Sequence, residues 1–186
     1  MNIKPLGRGW VVPIAAALLS TLPFPGHAAG PADRVNRGGY LVNAMGCADC
    51  HTPLKPGPDG PRQDLARGLS GHPQDLALPP PPAAQGPWGW GGAVSNTAFW
   101  GPWGVSYAAN LTPDVATGIG GWNAEQFIRA MRTGKHLGSG RPIAPPMPWP
   151  AFAQLNDADL RAMFAYLRAQ PAVANAVPAY QPPAKR

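Results

Sequence analysis

Three helical stretches joined by long runs of turn-forming residues predict a single, loop-rich domain whose regular elements are helices. The stretches lie near 33–45, 123–133 and 157–170, and apolar periodicity is absent for more than fifty residues between the first two. At 186 residues there is room for one domain and a terminal segment, and 23 Gly, 26 Pro and 7 Trp describe a core supplemented by aromatics and wrapped by loops.

Residues 1–28 are expected to be a cleaved secretory signal. Lys4 and Arg8 form its basic start, Trp10 to Leu22 its apolar run, and Gly26-His27-Ala28 the small-x-small site before cleavage. An uncleaved anchor is the alternative, but Pro13 interrupts a run already shorter than the roughly 20 residues that span a bilayer. The formal charge of +6 falls to +4 once Lys4 and Arg8 are removed. A modest positive surface favours an acidic partner, and no clustered basic face of the kind that binds nucleic acid is present in the sequence.

In the first helix Val35, Leu41 and Val42 are spaced to share a face. Gly38 and Gly39 cost roughly 1 kcal/mol each in a helix interior, so a pair of them suggests close approach by another helix, with the C-terminal helix as candidate. The second helix opens on Asn123 with Gln126 three residues on, a capping-box variant, and should stop near Thr133-Gly134. The third is capped by Asn156, complemented at its positive end by Asp157 and Asp159, and buries Leu160, Met163, Phe164 and Leu167. Beyond Gln170-Pro171 an Ala/Pro tail, 171–186, is expected to be extended and partly mobile.

Both cysteines of the chain lie in Cys47-Ala48-Asp49-Cys50-His51, the pattern for covalent attachment of a c-type haem. Two thiols separated by two residues reach the same porphyrin edge as thioethers, and His51 then falls over the iron. A structural zinc site would need a second ligand pair, whereas the other histidines, His27, His72 and His136, are isolated. A redox-active Cys-x-x-Cys belongs at a strand-to-helix junction in a βαβ pattern that is not found here, and a plain disulfide is the remaining alternative. Export agrees with the haem, which bacteria attach outside the cytoplasm.

For the opposite axial site the candidates are Met147, Met45, Met131, Met163, His72 and His136. Met45 is too near the attachment cysteines, Met131 and Met163 sit on core faces, and exposed, unliganded roles are expected for His72 and His136. Met147 is preferred: it is flanked by Pro146 and Pro148, which bar a helix and hold the thioether on a stiff extended loop. A Met/His pair fills both axial positions and raises the reduction potential, which suits outer-sphere electron transfer. The Trp-rich span, Trp88, Trp90, Trp100 and Trp103 within an insertion of about 74–104, is read as a lid or satellite cluster near the haem edge; a docking or sugar-binding surface is its alternative.

Cys47-x-x-Cys50-His51, Asn110-Leu-Thr-Pro-Asp114, Thr117-Gly-Ile-Gly, Met147-Pro-Trp149 and the Asp159–Arg168 helix together resemble a class I c-type cytochrome. More narrowly, they are similar to the cytochrome c subunits or domains of periplasmic dehydrogenases. The resemblance implies an all-α, cytochrome c-like fold: N- and C-terminal helices crossing, a middle helix, and long haem-wrapping loops over 29–170. It implies one covalently attached haem c on Cys47 and Cys50, with His51 as proximal and Met147 as distal iron ligand. The expected function is a non-enzymatic, periplasmic carrier of single electrons between a dehydrogenase-type donor and a respiratory acceptor, with no stable membrane span after signal cleavage. A haem enzyme or gas sensor with an open sixth site, and a docking subunit of a larger oxidoreductase, are the alternatives. The insertion, richer in Pro and Trp than expected, and the single haem motif depart from the family's pattern.

Overall fold

The computed structural model describes residues 30–82 and 89–183; the expected signal segment, His27 and Trp88 lie outside the described residues. Helix α1, Pro31–Ala44, begins two residues before the predicted start, because Pro31 suits the first helical position and Asp33 accepts a hydrogen bond from the Gly30 N–H at 3.0 Å. Helix α2, Cys47–His51, carries the Cys-x-x-Cys-His motif. Helix α3, Ala124–Thr133, is closed at its start by reciprocal 2.9 Å bonds between Asn123 and Gln126 and at its end by Gly134. A short helix α4, Trp149–Phe152, precedes α5, Asp157–Arg168, where the Asn156 side chain accepts from the Asp159 N–H at 2.8 Å.

The chain is not all-α. Strands β1, Leu54–Lys55, and β2, Arg62–Gln63, form one antiparallel hairpin, while β3, Gly91–Gly92, β4, Ala98–Gly101, and β5, Gly104–Tyr107, form a three-stranded antiparallel sheet in that order. Among the described residues the fold is mixed α and β, about a third helical. Strands of two to four residues are too short to show a period of two, and the Pro and Gly around them carry the same signal as an unpaired loop. Those residues are the turns. Gly101 pairs with Gly104 around Pro102-Trp103, and Phe99, Trp100, Val105 and Tyr107 are the aromatic and β-branched types that suit a pleated surface.

Helix α1 packs on α5 through its glycine pair. A Cβ on Gly38 would lie 1.9 Å from the Ala162 carbonyl oxygen, and one on Gly39 would lie 2.9 Å from the Tyr166 ring, so neither helix can approach as it does with a side chain there. Arg37 on α1 adds a bidentate pair to Asp159 on α5, at 2.8 and 3.2 Å. Leu41 and Val42, Phe127, Ile128 and Met131, and Leu160, Met163, Phe164 and Leu167 form one buried cluster from α1, α3 and α5, and Cys47 belongs to it.

Over the described residues 171–183 the tail is docked on the domain. Asn175, 5 % exposed, donates to the Ser70 and His72 carbonyls at 2.7 and 2.9 Å and accepts from the Gln74 N–H, and Val105 and Gln181 bridge backbone to backbone. A lone Asn inside an apolar, Pro-rich stretch was the available signal for this docking. Among the described residues no helix is long and apolar enough to cross a membrane.

Candidate functional site

Gly46 turns the chain from α1 into α2 in the left-handed conformation, φ +68°, and a Cβ there would press on the Asp49 carboxylate at 2.8 Å. The result is a single helical turn on which Cys47, Cys50 and His51 are presented together. The two thiols are not bonded to each other. Burial pushes the Cys47 thiol up to about 11 and raises Cys50 as well, the reverse of what activates a nucleophilic cysteine. Among the described residues no group of three or more His, Cys, Asp or Glu side chains is placed to hold a metal ion.

His51 is buried, and its Nδ1 lies 2.7 Å from the Ala109 carbonyl oxygen. A carbonyl only accepts, so Nδ1 carries the proton and donates it, leaving the lone pair on Nε2. Among the described residues the hydrogen bond that the ring makes is the one at Nδ1. Burial lowers the imidazole's affinity for a second proton, so the neutral, ligating form is favoured. Two free thiols on one turn and a neutral imidazole with a fixed tautomer are the donor set that an iron porphyrin attached by thioethers requires. The residues fit that group.

The carbonyl that orients His51 is itself held. Ala108 accepts from the His72 N–H and donates to the Thr97 carbonyl, and the Leu111 N–H donates to the Leu69 carbonyl, both flanking Ala109. Asn110, 3 % exposed, donates to the Val173 carbonyl at 2.8 Å and accepts from the Thr112 N–H and hydroxyl at 2.9 and 2.7 Å. Sequence reasoning marked Asn110-Leu-Thr-Pro-Asp114 as a turn and a family motif but missed Ala109 altogether, since a backbone carbonyl leaves no side-chain signature.

Met147 is half-buried and packs against the core cluster that contains Cys47. Its loop is anchored on α3: the Ile143 N–H donates to the Gly134 carbonyl at 2.7 Å, Pro142 bridges Lys135, and Trp149 covers Gly134 so closely that a Cβ would meet its ring at 2.3 Å. The extended loop ends sooner than expected. Helix α4 starts two residues after Met147, because Pro150 falls in its first turn, where the missing N–H costs nothing.

The other candidate ligands separate clearly. Met131 and Met163 are core residues and Met45 packs against the same cluster. His72 is fully buried rather than exposed: Nδ1 pairs with the Thr97 hydroxyl at 2.9 Å and Nε2 with the Leu76 carbonyl at 3.1 Å, so both ring nitrogens are engaged. His136 is exposed in a 3-10 turn, edge-on to the Trp122 ring at 5.0 Å. Of the insertion's aromatics, Trp90 and Trp103 pair at 6.4 Å, and the connection between β3 and β4 touches the attachment turn through the Asn96 side chain, which donates to the Asp49 carbonyl at 2.8 Å.

No family profile matches the chain. It is 33 % identical over 155 residues to the gluconate 2-dehydrogenase cytochrome c subunit of Pantoea cypripedii, covering 82 % of this chain and 27 % of that protein. It is 29 % identical over 165 residues to the cytochrome c subunit of alcohol dehydrogenase (quinone) from Gluconobacter oxydans, covering 88 % and 27 %. It is also 33 % identical over 147 residues to the fructose dehydrogenase cytochrome subunit of Gluconobacter japonicus, covering 79 % and 23 %. The chain therefore spans about a quarter of the length of these cytochrome subunits.

Proposed function

We infer that this chain, which resembles the cytochrome c subunits of periplasmic dehydrogenases over most of its length, is an exported one-haem electron carrier. It takes single electrons from a dehydrogenase-type donor and passes them to a respiratory acceptor. Cys47 and Cys50 would hold the haem as thioether anchors and His51 and Met147 would supply its iron ligands, so that the chain transfers electrons. The observation that carries this reading is the His51 Nδ1–Ala109 bond, which fixes the tautomer that keeps the lone pair on Nε2, beside two unpaired thiols.

When bound, a c-type haem supplies a one-electron iron couple. The chain's own residues do the rest. His51, oriented by Ala109, offers a fixed lone pair, and the hydrogen bond at its far nitrogen raises the imidazole's basicity toward iron. Met147 would offer a soft, neutral sulfur of the kind that favours the ferrous state and competes with exogenous ligands. The relatives' status as dehydrogenase subunits supports a dehydrogenase as the donor.

The test is ligand binding to the reduced, haem-loaded protein. Carbon monoxide should bind poorly to the wild type and readily to Met147→Ala, whose reduction potential should fall. Ready binding to the wild type, without a sulfur-to-iron charge-transfer band, would identify the open-site alternative instead.

A further inference from the structure

The insertion that departs from the family's pattern has a structural connection to the loop bearing Met147. That loop, Pro142 to Pro148, has backbone N–H groups only at Ile143, Ala144 and Met147, so it can do little to pair its own carbonyls. Ser106, just past the insertion on β5, which pairs with the insertion's β4, is 7 % exposed and reaches the Pro145 carbonyl with its hydroxyl at 2.5 Å. The same hydroxyl accepts from the Trp103 indole Nε1–H at 3.3 Å, and of the two carbonyls in its reach, Pro145 at 2.5 Å and Phe99 at 3.4 Å, the much shorter contact takes the serine proton to Pro145. Trp103 in turn is fixed by its pairing with Trp90 and by the Tyr180 hydroxyl, which donates to its carbonyl. On its other side the insertion holds the attachment turn through Asn96 and the Asp49 carbonyl.

We propose that the three-stranded sheet formed by the insertion and the adjoining β5 is a clamp for the axial sulfur, with Ser106, supported by Trp103, as a positioning residue that holds the Pro145–Met147 segment in place. This rests on the reading of Met147 as the distal ligand. The clamp spans the two segments that would lie on either side of the cofactor, one through Asn96 and one through Ser106. Removing the Ser106 hydroxyl frees the Pro145 carbonyl and lets the loop swing, so the sulfur should be displaced more easily, with no change in which residues ligate.

The experiment compares wild type, Ser106→Ala, Trp103→Phe and Met147→Ala as full-length, haem-loaded ferric proteins. The sulfur-to-iron charge-transfer band is followed in an alkaline titration, and reduction potentials are measured beside haem content and thermal unfolding. The expected result is a band in wild type that is absent from Met147→Ala. In Ser106→Ala the band should be lost about one pH unit lower, a tenfold weaker hold on the sulfur, with a lowered potential. Trp103→Phe should shift both in the same direction by less, and it decides the matter alone if Ser106→Ala fails to fold. Variants that titrate with the wild type and keep its potential would overturn the clamp while leaving Met147 as ligand. A wild type without the band, or a Met147→Ala protein that keeps it, would overturn the ligand assignment and the clamp with it.

Discussion

The Nδ1 of His51 and the carbonyl oxygen of Ala109 lie 2.7 Å apart across 58 residues of chain. That bond couples the attachment turn to the Asn110 turn, and the Asn110 turn to the C-terminal tail through Val173. Asn110→Ala would remove the acceptor of the buried Thr112 N–H and one of the two donors to the Val173 carbonyl, so it should destabilise the haem-loaded protein by about 1–3 kcal/mol. Denaturant unfolding followed at the haem absorption checks this. A loss below the error of the measurement would show that the tail does not support the loop.

The α1–α5 contact predicts a sharper effect. Gly38→Ala forces a methyl against the Ala162 backbone carbonyl, which cannot rotate away, and should cost about 2–3 kcal/mol. Gly121→Ala is the control, because nothing lies within 4 Å of a Cβ there. Thermal unfolding of the two variants side by side should separate them by several degrees; equal midpoints would mean that the helices tolerate greater separation.

Much of this arrangement was legible in the sequence where short-range chemistry carries the signal. Asn123 with Gln126 and Asn156 with Asp159 announced two helix starts, Gly38 and Gly39 a close helix contact, and Cys47 to His51 the candidate site. The sheet was not legible. A four-residue strand such as Ala98–Gly101 is too short for periodicity to register, and its pairing with Gly104–Tyr107 depends on a turn whose Gly and Pro also occur in unpaired loops. The burial of His72 was hidden for a related reason. Nothing local to it reveals Thr97, 25 residues away, as the partner that lets it be buried.

That burial makes His72 a source of acid sensitivity. Burial lowers its proton affinity in the folded state, so below the ordinary histidine value of about 6.5 the unfolded chain binds more protons than the folded one. Its contribution to stability is therefore complete above that value and is lost as pH falls through the lowered folded-state value. Folding free energy measured from pH 7 to pH 4 should decline, and His72→Gln, which does not titrate, should flatten part of the slope. An identical slope in the variant would place the acid sensitivity elsewhere.

The most direct measurement on the central claim is the intact mass of the protein after export in cells that mature c-type cytochromes, taken under denaturing conditions. The expected mass is that of the processed chain plus one haem, with the haem lost when Cys47 and Cys50 are both replaced by Ala. A processed chain without haem, with Cys47 and Cys50 joined as a disulfide, would contradict the account.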